Sequence, residues 1–168
     1  DWSFRYLDVH LSERKHPTAR LMMMTRSLHP EIELLFLDCP PGMTLLTENV
    51  LRAADALVVP VVPAPLSVRM LDQLDEFIAR TGWTDIRVLP FFSMVDRRKS
   101  LHESVIANAR THRPGILATE IPYWSEIERM TVRRAPLPAF APASPAARLY
   151  GQLWQEIAGR FREPAPRG

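Results

Sequence analysis

Glycine and lysine are scarce in this chain of 168 residues, and their scarcity excludes one common kind of phosphate site. There are 6 glycines, the first of them Gly42, and the only lysines are Lys15 and Lys99, neither of which follows a glycine. The pattern Gly-x-x-x-x-Gly-Lys-Ser/Thr, in which backbone amides and a lysine cradle phosphate groups, therefore cannot be written anywhere in these residues.

Cysteine and long apolar runs are lacking as well. The single Cys39 excludes an intramolecular disulfide and a cysteine-based metal site, and it fits a reducing, cytoplasmic compartment best. The 5 histidines show no spacing typical of a metal site. No apolar run approaches the ~20 residues that a membrane span needs, so we expect no membrane span.

The overall composition is that of an ordinary globular protein. Hydrophobic residues make up 46% and charged residues 24%, which is enough apolar material for a core. The formal net charge of +2 permits contact with nucleic acid without favouring it. We expect one domain over residues 1–163 and a frayed tail at residues 164–168.

Apolar runs alternate with helical patterns along the chain. The runs at residues 34–38, 56–62, 86–95 and 116–121 are typical of buried strands. Helical patterns cover residues 17–28 and 45–54. Ser67 is predicted to cap a third helix that ends at Gly82, capping boxes are predicted at Ser100 and Ser125, and Pro145 is predicted to start the last helix. Residues 135–145 are predicted to be an extended connector. This alternation predicts an α/β fold, a parallel sheet with helices on both faces.

Three acidic residues, Asp38, Asp96 and Glu120, stand at or near the predicted strand ends. The carboxyl ends of the strands in an open parallel sheet face the ligand crevice. Asp38 is the strongest candidate for a functional carboxylate, because a stiff Pro-Pro-Gly turn at residues 40–42 follows it. In nucleotide hydrolases such a carboxylate lies near Mg²⁺, often through a water. A carboxylate that only caps its loop is the alternative, and the pattern leaves both open.

Other reactive or charged groups give weaker indications. Cys39 could be a nucleophile, but no partner histidine is evident, and a packed side chain is the simpler interpretation. The basic clusters at residues 97–99 and 133–134 could bind a phosphate backbone or could be solvated surface. Neither a Gly-x-Ser-x-Gly elbow nor a dinucleotide fingerprint is present.

Four stretches together resemble the ParA/MinD group of partition-type ATPases, which have a deviant Walker motif. The first is the Leu-Asp-Cys-Pro-Pro turn at residues 37–41 together with the helix that follows it, and the second covers residues 59–74. The third is the Ser-Met-Val-Asp-Arg-Arg segment at residues 93–98, and the fourth covers residues 120–150, which begin with Glu-Ile-Pro. The resemblance extends over about residues 30–158 and implies a P-loop NTPase-like fold.

The resemblance also implies roles for particular residues. Asp38 would orient Mg²⁺ through a water, and the switch that senses the γ-phosphate would be formed by Pro40, Pro41 and Gly42. The adenine would be enclosed by Met94, Asp96, Pro122 and Tyr123. Weak candidates for DNA contacts are Arg97, Arg98, Arg133 and Arg134. Family members carry a lysine-bearing Walker A loop on their first strand, which would lie before Asp1; the sheet would then be incomplete at its N-terminus, and this chain alone would not be catalytic.

The function implied is that of a protein that binds ATP and Mg²⁺, dimerises across the nucleotide and moves DNA, a plasmid, a chromosome or another cargo. A ParB-like partner would stimulate hydrolysis, and DNA contacts would be non-specific. Two alternatives stay open: a non-enzymatic partner-binding module with the same fold, and an amidotransferase-type synthetase of the same superfamily, for which no glutamine amidotransferase domain is visible.

Overall fold

The computed structural model describes residues 19–25, 28, 32–39, 42, 44–82 and 86–162. Contacts divide the chain into two compact units, residues 1–57 and 58–168, which are described separately. A single domain over residues 1–163 stays a prediction, and the predicted tail lies outside the described residues.

The first unit contains helices α1 (Arg20–Thr25) and α2 (Leu45–Ala53). Thr44 caps α2, since its hydroxyl accepts a hydrogen bond from the Thr47 amide at 3.3 Å. The Thr47 hydroxyl donates to the carbonyl of Gly42 at 2.6 Å and so ties the preceding turn to the helix. Helix α2 agrees with the predicted 45–54, whereas α1 is shorter than the predicted 17–28 over the residues that can be compared.

The buried Asn49 joins these two helices. Its Oδ1 accepts from the Leu21 amide at 3.3 Å, and its Nδ2 donates to the Leu45 carbonyl at 2.9 Å. Only 1% of Asn49 is exposed, so these bonds satisfy polar atoms that water does not reach.

The predicted strand at residues 34–38 is wrong: residues 32–39 form no strand. Leu34, Leu35 and Phe36 are exposed, Phe36 by 72%. A parallel strand exists only where neighbours take its backbone hydrogen bonds and cover its apolar faces, and the described strands pair with one another instead.

The sheet has three strands in the order β1 (Ala56–Val61), β2 (Arg87–Val95) and β3 (Ile121–Pro122). Strands β2 and β3 are parallel, and the register shifts between Ser93 and Val95. Met94, at this bulge, has a left-handed φ of 57°. The α/β class is confirmed, as are the predicted strands at 56–62 and 86–95. Strand β1 is largely half-buried rather than buried on both faces, as befits the edge of the described sheet.

The fourth predicted strand, residues 116–121, shrinks to the two residues of β3. The Leu117 amide still donates to the Pro90 carbonyl of β2 at 2.8 Å, but the next backbone groups are bound by side chains: Arg110 binds the carbonyls of Leu117 and Ala118, and Glu156 binds the amides of Ala118 and Thr119. A backbone whose hydrogen bonds are already made by side chains does not need a ladder.

The described part of the second unit also contains the helices α3 (Pro65–Thr81), α4 (Ser100–His112), α5 (Ser125–Arg133), α6 (Leu137–Phe140) and α7 (Pro145–Arg162). Proline at the first position starts α3 two residues before Ser67, so the predicted Ser67 cap is wrong. Gly82, with φ of 71°, ends α3 as predicted. The connector at 135–145 is not wholly extended, because the fully buried Leu137 anchors α6 within it.

The predicted capping boxes at Ser100 and Ser125 are also wrong. Each serine is already the first helical residue, and the caps are Lys99 and Trp124, without a side-chain bond. The start of α7 is as predicted: Pro145 follows Ser144, whose hydroxyl accepts from the Ala147 amide at 3.0 Å.

Two apolar clusters fix the parts of this unit that matter for the site. The first packs β1, β2, α3 and α4 together, and it contains Val61, Leu71, Phe92, Val95, Ile106, Ala109 and Ile116. The second packs α5, α6 and α7 around Leu137, Ala146 and Ala147. Burial of these side chains holds the end of β2 and the start of α7 in place.

Candidate functional site

A groove of about 1090 Å³ lies beside the ends of β2 and β3 in the second unit. Residues from β2, the turn after it, β3, α5 and α7 line it, and they include five sequence candidates: Asp96, Arg97, Arg98, Pro122 and Tyr123. The structure therefore brings three of the four adenine candidates together with two of the basic ones. Met94, the fourth, is 49% exposed at the bulge of β2 and does not line the groove.

Arg98 neutralises the first carboxylate of the groove, that of Asp96. The guanidinium donates from Nε to Oδ1 and from Nη2 to Oδ2, both at 2.9 Å, and the Arg98 amide also donates to Oδ1 at 3.1 Å. The hydrogen bonds from Arg98 lower the pKa of Asp96 to about 2. The Asp96 side chain is thus an ionised acceptor that is already engaged.

Two arginines hold the second carboxylate, that of Glu120. Arg97 Nη2 lies 2.5 Å from Oε2, and Arg110 Nη1 lies 3.0 Å from Oε1. The Glu120 side chain is only 11% exposed, so this pairing offsets the loss of its hydration. Three arginines thus meet two carboxylates along this wall, and each carboxylate is already paired.

Arg110 and Glu156 shape the groove wall at residues 117–119, and no sequence motif singled out either residue. Arg110 donates to the carbonyl of Ala118 at 2.9 Å, while Glu156 on α7 accepts from the amides of Ala118 at 2.6 Å and Thr119 at 3.0 Å. Partial burial raises the pKa of Glu156, but these amide bonds outweigh it and lower the pKa overall. The sequence signal that could have indicated Glu156 was the position of this charged residue beside Leu153 and Ile157, on the buried face of α7.

Aromatic side chains supply an apolar surface to the groove. Tyr123 and Trp124 follow β3 directly, and both keep more than 40% of their surface exposed. The Tyr123 amide donates to the Val95 carbonyl at 2.9 Å, which ties this segment to the end of β2. A hydrogen bond to Glu128, followed by the charge of that residue, raises the pKa of Tyr123, so the phenol stays neutral. Exposed flat rings of this kind suit the face of a planar ligand.

The Asp38 segment lies in the first unit. Asp38 is exposed, Gly42 has a φ of 110°, and Pro40 and Pro41 lie outside the described residues. Burial, and then the charge of Asp38, raise the pKa of the Cys39 thiol, which argues against a thiolate nucleophile. Among the described residues, no three potential metal-binding side chains cluster.

The remaining basic candidates, Arg133 and Arg134, are exposed at the end of α5. The Arg133 guanidinium lies 5.1 Å from the centroid of the Phe140 ring, and Arg134 ends the helix with a left-handed φ of 48°. They are not part of the groove lining. None of the described helices combines the length and apolarity that crossing a membrane requires.

Sequence comparison identifies relatives. A family model described as an AAA domain matches residues 2–85. The chain is 34% identical over 144 residues to the chromosome-partitioning ATPase Soj of Thermus thermophilus, covering 78% of this chain and 55% of that protein. It is 27% identical to the sporulation initiation inhibitor protein Soj of Bacillus subtilis, with 83% and 57% covered. The chain thus spans a little over half the length of these relatives.

Solved structures share the fold at low sequence identity. A putative plasmid partition protein of Borrelia burgdorferi, bound to AMPPNP, superposes with a TM-score of 0.76 at 15% identity, covering 89% of this chain and 60% of that one. Cobyrinic acid a,c-diamide synthase of Mycobacterium smegmatis, with bound ADP and magnesium, gives 0.71 at 20% identity, with 99% and 64% covered. Together with the motifs and the α/β sheet, these matches identify the chain as a member of the ParA family of P-loop ATPases.

Proposed function

We propose that this chain holds the base end of Mg-ATP in a partition-type ATPase that dimerises across the nucleotide and moves DNA or another cargo. The observation that carries the proposal is the groove beside β2 and β3. It brings Asp96 together with Pro122 and Tyr123, which come much later in the sequence, at the edge of the sheet where α/β proteins bind ligands.

The groove residues fit a nucleoside better than they fit phosphates. The rings of Tyr123 and Trp124 offer flat apolar surface, and the arginines Arg97, Arg98 and Arg110 are already engaged with the carboxylates of Asp96 and Glu120. No Gly-x-x-x-x-Gly-Lys-Ser/Thr loop exists in the 168 residues to cradle phosphates. Since the chain spans little more than half of its relatives, nucleotide binding is best tested on the complete gene product.

Asp38 is the residue we propose to orient Mg²⁺ through a water. The ion would supply positive charge to the phosphoryl group as it is transferred. The exposed carboxylate of Asp38 can accept from metal-bound water, and the positive φ of Gly42 lets the following turn bend tightly. Pro40, Pro41 and Gly42 would then form the γ-phosphate switch.

DNA and protein partners belong to the same proposal. Arg133 and Arg134 are exposed and are better placed for phosphate contacts than Arg97 and Arg98, whose guanidinium groups are engaged with carboxylates. Contacts of this kind are independent of sequence and weaken with salt. A second copy of the protein and a ParB-like activator are the proposed protein partners, and the cytoplasm is the proposed location.

A non-enzymatic module that binds a partner is the second candidate. One observation favours it: the chain carries no phosphate-cradling pattern, so the sheet could serve as a scaffold alone. The two candidates differ in nucleotide binding, which only the ATPase requires.

Calorimetric titration of Mg-ATP into the complete gene product separates them. We expect binding, and we expect Tyr123→Ala to weaken it by about three- to tenfold through loss of ring contact. Val132→Ala, an exposed change outside the groove lining, is the matched control and should bind as the unaltered protein does.

Asp38→Asn tests the metal role separately. We expect Mg²⁺-dependent hydrolysis to be lost while the groove still binds nucleotide. If the complete protein does not bind Mg-ATP at all, the ATPase proposal is wrong and the partner-binding module is favoured.

A further inference from the structure

The imidazole of His102, in the first turn of α4, reaches back to the end of β2. Its Nδ1 lies 3.1 Å from the backbone nitrogen of Asp96, and the residue is only 8% exposed. A backbone amide can only donate, so Nδ1 is the accepting, unprotonated nitrogen of the ring. This buried side chain therefore binds the main chain of a groove residue.

Other bonds also hold the turn at residues 96–99, among them the ion pair of Arg97 with Glu120. The Lys99 amide donates to the Asp96 carbonyl at 3.1 Å, and Arg98 holds the Asp96 carboxylate. The bond to His102 instead anchors the turn to a buried side chain of α4. It thus ties the turn to the helix that packs on the core through Ile106.

The end of β2, which His102 holds, contains a residue in an unfavourable backbone conformation. Met94, two residues before Asp96, has a left-handed φ of 57°, which an unbranched L-residue adopts only at a cost. Such a conformation persists where surrounding bonds fix the chain on both sides. On one side Ser93 is paired with Ile121, and on the other Asp96 is bound by His102.

The position of this strand end sets the groove. Val95 and Asp96 both line it, and the Val95 carbonyl accepts from the Tyr123 amide. A shift of the Asp96 backbone would therefore change both the groove lining at Val95 and Asp96 and the position of the Tyr123 ring. His102 itself lies behind this wall and does not line the groove.

We propose that His102 is a positioning residue for the nucleoside groove, acting through the Asp96 amide without touching the ligand. This inference rests on the proposed nucleotide-binding function. It assigns a role to a buried histidine that the sequence patterns did not single out.

The test uses two substitutions of the same shape. Asparagine and leucine branch at the same atom, but only His102→Asn places an acceptor where Nδ1 stands. In the complete gene product we expect H102L to weaken Mg-ATP binding by about tenfold, as loss of one buried hydrogen bond would, and H102N to stay within about twofold. Ile106→Val, on the same helix, controls for a general loosening of the core.

A second readout does not depend on nucleotide. Hydrogen exchange of the peptide covering residues 93–99 should accelerate by about tenfold in H102L and remain near the unaltered rate in H102N. Equal losses in H102N and H102L would mean that only the ring volume matters and would overturn the inference, as would unchanged exchange and binding in H102L. If no version binds Mg-ATP yet exchange responds as expected, His102 positions the turn as inferred, and the proposed nucleotide function is what fails.

Discussion

The Arg98 guanidinium forms a bidentate ion pair with the Asp96 carboxylate, within the turn at residues 96–99, through two hydrogen bonds of 2.9 Å. The bond lengths and the parallel arrangement are those of the strongest arginine–carboxylate pairs. The same turn carries the bond to His102, so one short segment at the edge of the groove is held from two sides.

This ion pair predicts the titration of Asp96. In the folded protein its pKa is about 2, below the ordinary value of about 3.9. The depressed pKa contributes stability that is present above pH ~3.9 and is lost as the pH falls through about 2. We expect Arg98→Ala to return the pKa of Asp96 toward its ordinary value and Arg98→Lys to return it part of the way. Carbon-detected NMR titration of the carboxyl group measures this, and an unchanged pKa in R98A would contradict it.

Glu156 is predicted to support the wall at residues 117–119. Glu156→Gln keeps the shape of the side chain but removes the charge that strengthens the bonds from the Ala118 and Thr119 amides. We expect a loss of about 1–2 kcal/mol in the free energy of unfolding at neutral pH, measured by denaturant titration. Glu76→Gln, at an exposed position of α3, is the control for loss of one negative charge and should change stability little.

The pH dependence of that effect has a definite sign. Because the folded pKa of Glu156 is lowered, its contribution is present above the ordinary glutamate pKa of 4.5 and disappears as the pH falls through the folded pKa. The difference in stability between E156Q and the unaltered protein should therefore shrink on acidification. A difference that grows toward low pH would contradict the assignment.

Gly42 and Gly151 should respond in opposite directions to alanine. Gly42 has a φ of 110°, which is strained for any side chain, although a Cβ there would meet nothing closer than 3.9 Å. Gly151 lies in α7, where an added Cβ meets no atom within 4 Å. We expect Gly42→Ala to destabilise the fold by about 1–2 kcal/mol and Gly151→Ala to stabilise it by up to about 1 kcal/mol. Equal effects in thermal unfolding would show that backbone conformation is not the cause.

Asn49 is predicted to be essential to the packing of α1 on α2. Asn49→Ala leaves the Leu21 amide without its acceptor at a site where Asn49 itself is 1% exposed. We expect a loss of about 1–3 kcal/mol in the free energy of unfolding and faster hydrogen exchange of α1. Arg52→Lys in α2, which keeps both helices and their charge, is the control. Unchanged exchange in N49A would contradict this role.

Local sequence patterns predicted the elements whose signals are local. Strand β2 and helix α2 fall close to their predicted bounds, and Gly82 and Pro145 mark helix ends as expected. These outcomes depend on apolar periodicity and on the backbone preferences of glycine and proline, which act over a few residues. The acidic strand ends also drew attention to Asp96 and Glu120 before their surroundings were known.

Long-range contacts decided the rest. The apolar run at residues 34–38 has every local property of a buried strand, yet strand pairing is a relation between segments, and the described strands do not include it. The Leu117 amide bonds to Pro90 of β2, but the residues after it form no strand before β3, because Arg110 and Glu156, from two different helices, take the backbone hydrogen bonds of Ala118 and Thr119.

The α/β class, the family and the acidic and aromatic residues of the groove could all be predicted from the amino-acid sequence, because they follow from local pattern and motif. Which of these residues meet depends on the packing of separate elements. The tertiary structure brought Asp96 and Tyr123 to one groove, engaged Arg97 and Arg98 with carboxylates, and set the buried His102 against the Asp96 amide. No local pattern carries such pairings, since each depends on how separate elements pack.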